Sequence, residues 1–178
     1  MKMKKFLTLG LAAIMAVSMV GCVNQHPEQA NGTAASSDDV RIVATSPATA
    51  DICDRLELDL VGVCSSTLST IPERYKDVTQ IGTAMSPDLE ILKSLKPDYV
   101  LSPSSLQSDL QPKYESIGVN SIFLNLKSVE GMYASISDLG QKFDREEQAQ
   151  ALVDEFNAFM EEYKKKNEGK ESPRVLVL

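Results

Sequence analysis

From Arg41 onward the apolar residues alternate between short unbroken runs and stripes at helical spacing. Ile42-Val43-Ala44-Thr45, Leu60–Cys64, Thr79–Gly82, Tyr99–Ser102 and Ser121–Leu126 are runs of strand length. The segments between them read as helices. Thr45-Ser46-Pro47 offers hydroxyls and a proline for the start of a helix over Ala48–Leu58. Ser86-Pro87-Asp88 predicts another, running to Lys96, with Ser86 as the cap, Pro87 in the first turn and an acid facing the positive helix end. Leu106–Ile117 predicts a third. Val129, Met132, Ile136, Leu139 and Phe143 recur at spacings of three and four and mark a fourth. A longer helix begins near Asp144 or Arg145. Its stripe is Ala149, Leu152, Val153, Phe156, Phe159, Met160 and Tyr163, and Lys164–Lys166 suits its negative end. Strand and helix in alternation predict an α/β lobe with a parallel, Rossmann-like sheet. In such sheets ligands bind in the crevice beyond the carboxyl ends of the strands.

The two ends of the chain read differently. Met1–Gly21 joins a basic start (Lys2, Lys4, Lys5) to an apolar run from Phe6 to Val20, the pattern of an export signal and too short to span a bilayer comfortably. Met19-Val20-Gly21-Cys22 resembles a bacterial lipobox, with Cys22 as the lipidation site and Met where Leu is usual. Two acyl chains there would hold the protein on the outer face of the cell membrane. Residues 22–40 are polar and aperiodic, a tether that contains His26, the one histidine. At the other end, Ser172-Pro173-Arg174 leads into Val175–Leu178, an apolar strand with nothing after it. We read residues 173–178 as the first strand of a second lobe that is cut off, against the alternative of a last strand for the first sheet. The expected division is therefore a signal (1–21), a tether (22–40), an α/β lobe (41–143), an interlobe helix (144–169) and that strand.

Composition narrows the function. The 178 residues are 43% apolar and 24% charged, enough for a packed core. Residues 22–178 carry a net charge of −10, which disfavours nucleic acid as a partner. There is no GxGxxG and no phosphate-binding loop. The lobe has no histidine and no Cys-x-x-Cys, so a zinc enzyme or a His-rich metal receptor has no support. Cys53 and Cys64 read as buried thiols, with a disulfide left open.

Taken by position, Arg41–Thr45, Leu60-Val61-Gly62-Val63, Pro87-Asp88-Leu89-Glu90 and Leu95-Lys96-Pro97-Asp98 resemble the substrate-binding lipoproteins of iron-complex ABC importers, which have two α/β lobes joined by one long helix. Within that family, Ile81–Glu90, Leu106–Leu110 and Leu124–Met132 are most similar to the haem-binding members of iron-regulated surface determinant systems. The resemblance implies a receptor, not an enzyme, that captures haem for an ABC permease and its ATPase and acts as a monomer. It implies that Met85, a soft thioether donor, is an axial ligand of the haem iron, opposite a histidine of the second lobe. From the residues by themselves, Met85 reads first as a gap-filling side chain. Thr45, Ser46, Ser65, Ser66 and Thr67 end two strands, where hydroxyls and free N–H groups suit haem propionates or simple capping. The resemblance makes Glu90 a permease-docking acid; a solvated helix face is the plain alternative. A ferric siderophore or cobalamin is the nearest rival ligand. An enzyme on a flavodoxin-like domain and an interaction-only lipoprotein are the rival classes.

Overall fold

The computed structural model describes residues Val40–Lys170. The proposed signal, Cys22, nearly all of the tether, and the run 173–178 lie outside the described residues. Six strands and five helices follow one another: β1 (Ile42–Ala44), α1 (Pro47–Arg55), β2 (Leu60–Val63), β3 (Gly82–Thr83), β4 (Ser86–Pro87), α2 (Leu89–Leu95), β5 (Tyr99–Pro103), α3 (Gln107–Ser116), β6 (Ser121–Leu124), α4 (Val129–Lys142) and α5 (Glu146–Asn167). Four of the strands form a parallel sheet in the order β2-β1-β5-β6, and β3 and β4 form a separate antiparallel hairpin. The α/β class and the parallel sheet are as the alternation predicts.

The pleat divides the core in two. Ile42 and Ala44 of β1 point to one face with Leu101 and Leu124, against Ile52, Cys53 and Leu56 of α1 and the inner sides of α4 and α5. Val43 and Val100 point to the other, against Leu92 of α2 and Leu110 and Tyr114 of α3. Both faces are thus covered, which is why β1 tolerates no polar position. Between β1 and β2, Ile42 faces Leu60 but Val43 faces Gly62, so Val61 is the extra residue of a β-bulge. Gly62 lets the neighbours close in: a Cβ would stand 2.7 Å from Leu95 Cδ1 and 3.0 Å from Val43 Cγ2, so these side chains would have to shift.

Two sequence expectations are corrected. Thr79–Gly82 is not a full strand. Gln80 makes a single parallel bridge to Val63, after which Gly82, at φ +91°, turns the chain away into the hairpin. Ser86 does not cap α2, because Ser86 and Pro87 pair back to Thr83 and Gly82. Asp88 caps instead; one carboxylate oxygen accepts from the N–H groups of Glu90 (2.9 Å) and Ile91 (3.0 Å). The Ser46-Pro47 start of α1 is as expected. Ser46 Oγ accepts from the Thr49 N–H at 3.1 Å and Thr49 Oγ1 from the Ser46 N–H at 3.0 Å, a reciprocal cap.

α1 stops at Arg55, short of the expected Leu58. Glu57 adopts φ +55°, with its N–H on the Asp54 carbonyl and the Leu58 N–H on the Cys53 carbonyl. That is a left-handed helix end without the usual glycine. Asp144 ends α4 the same way, its φ at +54° and the Arg145 N–H donating 2.8 Å to the Gly140 carbonyl. α4 and α5 then pack as an antiparallel pair, close enough that a Cβ on Gly140 would lie 2.6 Å from that of Ala149.

Candidate functional site

The chain leaves β1 for β2 through α1 on one face, and reaches β5 and β6 through α2 and α3 on the other. The loops after β1 and β5 therefore diverge, and the crevice of an open α/β sheet opens between them at its carboxyl edge. The residues at that edge are Thr45 and Ser46 after β1, Cys64–Thr67 after β2, Ser104 after β5 and Asn125 after β6.

The two groups of predicted hydroxyl residues behave differently. Thr45 is wholly buried and Ser46 nearly so. Thr45 Oγ1 reaches the Leu101 carbonyl at 3.1 Å and lies 2.7 Å from Ser102 Oγ, which lies 3.2 Å from Tyr114 Oη. Thr45 and Ser46 thus turn their hydroxyls inward, to a buried network and to a helix cap. Burial raises the Tyr114 phenol above its ordinary value, and the Ser102 and Thr45 hydroxyls partly counter this. By contrast Ser65 and Ser66 are half-buried and Thr67 is exposed, so this loop presents its polar groups outward.

Met85 is at the tip of the β3–β4 hairpin rather than in a turn before a helix cap. Thr83 pairs with Ser86, leaving Ala84 and Met85 as the two-residue loop. Neither has a positive φ. Two-residue hairpins prefer turns with positive φ because these match the strand twist, so this one splays after two pairs. The Met85 side chain is 76% exposed. The hairpin is fixed to the carboxyl end of β2: the Ser65 N–H donates to the Gly82 carbonyl at 2.7 Å, and the Ile81 N–H to the Val63 carbonyl at 2.9 Å. Met85 and Ser65–Thr67 are therefore brought to one edge, while Glu90 lies exposed in the first turn of α2, just beyond the hairpin.

Cys53 and Cys64 are free, buried thiols. Burial pushes Cys53 up to about 12 and Cys64 up to about 11, so both stay protonated and poorly nucleophilic. Among the described residues no group of three His, Cys, Asp or Glu could hold a metal ion. An apolar depression of about 360 Å³, lined by Val129, Met132, Tyr133, Phe156 and Met160, lies between α4 and α5. α4 follows β6, so this depression is across the sheet from the hairpin beside β2.

Residues 42–178 match the model of a family described as periplasmic binding protein. The chain belongs to that family. Over its full length it is 35% identical to the high-affinity heme uptake system protein IsdE of Staphylococcus aureus, and it spans 59% of that protein. An ABC transporter substrate-binding protein from Listeria monocytogenes is similar in structure at 40% identity and a TM-score of 0.72, over 75% of this chain and 52% of that one. S. aureus IsdE complexed with heme is similar at 37% identity and a TM-score of 0.70, again over 75% of this chain and 52% of the other. The solved relatives of this family are two-lobed, and the chain covers about half of each.

Sequence reasoning placed Met85 near a strand end but missed the hairpin that carries it. It also missed Ser102 and Tyr114. The serine-threonine-tyrosine chain is assembled from residues far apart in sequence.

Proposed function

We propose that the protein is a lipid-anchored, extracytoplasmic substrate-binding protein that captures haem and delivers it to an ABC permease for iron uptake. The observation that carries this reading is Met85: a thioether held 76% exposed at the tip of a hairpin, beside a hydroxyl-rich loop at the carboxyl edge of the sheet. An apolar side chain so displayed gains nothing for the fold, whereas a soft sulfur there can reach an iron centre. The likeness to a protein named for heme uptake, over the whole of this chain, supports haem as the cargo. In this reading Met85 fills one axial position of the iron and a histidine of a second lobe fills the other. The hydroxyls of Ser65, Ser66 and Thr67 receive the propionates. Thr45 and Ser46, their hydroxyls turned inward, join β1 to β5 and cap α1. Glu90 docks on the permease, and Cys22 carries the lipid.

The test is a titration with haemin of the full-length protein and of Met85→Ala, in both oxidation states. Burial of the macrocycle carries most of the affinity, so the variant loses less than about tenfold in Kd. Its spectrum changes more, above all for ferrous iron, which thioether sulfur favours. Identical spectra in both states would remove Met85 from the coordination sphere. No Soret band from the wild type, with tight binding of a ferric siderophore or a cobalamin, would overturn haem as the ligand.

A further inference from the structure

Leu68 is 96% exposed, the most exposed of the large apolar side chains among the described residues, and Met85 follows at 76%. Both project from the same junction. The Ser65 N–H donates 2.7 Å to the Gly82 carbonyl, joining the loop after β2 to the root of the hairpin. Leu68 is three residues beyond one partner and Met85 three residues beyond the other. At no more than about 3.5 Å per residue, each lies within about 11 Å of that hydrogen bond.

The position of Leu68 is built. Ser66 Oγ accepts from the Leu68 N–H at 3.3 Å and from the Ser69 N–H at 3.0 Å, a serine turn that fixes the backbone on both sides of the leucine. The flanking residues Ser65, Ser66, Thr67, Ser69 and Thr70 are all small and hydroxylic. One isobutyl group thus stands exposed on a polar loop joined to the root of the hairpin that carries the sulfur, and none of residues 64–70 or 82–87 is charged. A rim of this kind suits a ligand with a broad apolar face and a polar margin.

We infer that Leu68 is a ligand-contact residue that packs on the apolar face of a planar tetrapyrrole and selects for it over smaller, more polar iron chelates. This rests on the haem reading above and deepens it: Met85 holds the metal, while Leu68 recognises the ring. The leucine contributes by losing water-exposed area, and one face of a macrocycle can cover about half of it.

The experiment compares the full-length wild type with Leu68→Ser and Leu68→Met, titrated with haemin and with gallium protoporphyrin. Half-burial of a leucine corresponds to a three- to tenfold change in Kd at about 1.4 kcal/mol per tenfold. Leu68→Ser is expected to weaken both ligands by that factor, with the thermal midpoint and the haem spectrum unchanged. Leu68→Met, which keeps an apolar chain, restores binding. With the diamagnetic gallium complex, the Leu68 methyl resonances shift on binding through the ring current of the macrocycle. Wild-type binding with unchanged Kd in Leu68→Ser and unmoved methyl resonances would overturn the inference and leave the haem reading standing. Absence of binding to the wild type would overturn both.

Discussion

Ser102 sits in a hydrogen-bonded chain whose proton directions follow from a single fixed group. The Leu101 carbonyl can only accept; it takes the Thr45 N–H at 3.0 Å and the Thr45 hydroxyl at 3.1 Å. The one hydroxyl proton of Thr45 is thereby committed. Ser102 must therefore donate to Thr45 across 2.7 Å, and Tyr114 must donate to Ser102 across 3.2 Å. All three residues are wholly buried, so water cannot replace a lost partner. Ser102→Ala strands the Tyr114 donor, and a buried donor without a partner costs about 1–3 kcal/mol. The Thr45 hydroxyl lies close enough to take part of the phenol's interaction, which places the expected loss near 1.5 kcal/mol. Tyr114→Phe removes a donor but leaves the Ser102 proton on Thr45, and costs about 1 kcal/mol. In the double variant no donor is orphaned. It is therefore expected to lose little more than Tyr114→Phe does, roughly 1 kcal/mol less than the two single losses added together. Urea unfolding of the four proteins, with unchanged slopes, measures this cycle. Losses that add to within about 0.4 kcal/mol, or a Tyr114→Phe loss larger than that of Ser102→Ala, would refute the proton order and with it the idea that this chain ties β1, β5 and α3 beneath the crevice.

Gly62→Ala drives a methyl to within 3.1 Å of Ile81 Cγ2, as well as against Leu95 and Val43, and is expected to cost about 2 kcal/mol in the same assay; an unchanged midpoint would show that α2 moves away freely. Alkaline pH destabilises the protein. Cys53 titrates near 9.0 when unfolded and about 12 when folded, so above pH 9 the unfolded chain holds fewer protons and stability falls until the folded thiol ionises. Cys64, raised to about 11, adds to the fall over a narrower range. Cys53→Ala should flatten the decline between these limits by up to about 1.4 kcal/mol per pH unit, and equal slopes in the two proteins would disprove burial as the cause. Cys22→Ser is expected to leave an unprocessed precursor or release the protein into the medium; a wild type that incorporates no labelled fatty acid would contradict the anchor.

Much of the fold was open to reading along the chain, because its signals act within a turn or two. Short, mainly apolar runs marked β1, β2, β5 and β6, three-and-four spacing marked α4 and α5, and Ser46-Pro47 marked the start of α1. The same locality explains the errors. Ser86-Pro87 and Asp88 are both plausible helix starts, and only the reversal of the chain at Gly82 decides for Asp88, by drawing Ser86 into the hairpin. α1, α2 and α4 end on left-handed Glu57, Lys96 and Asp144, where no glycine announces the stop. The site divides along the same line. The thioether of Met85 and the hydroxyls of Ser65–Thr67 are sequence facts, and the end of a strand is a fair guess for both. Which hydroxyls face outward was decided by the sheet. Thr45 lies 57 residues from Ser102, and Ser102 lies 12 from Tyr114, yet strand order puts β5 beside β1 and lays α3 across them. A hydroxyl at a strand end becomes a buried strut or a surface donor according to what the neighbouring strand places next to it, and neighbours in a parallel sheet are set by crossover topology rather than by proximity in the chain.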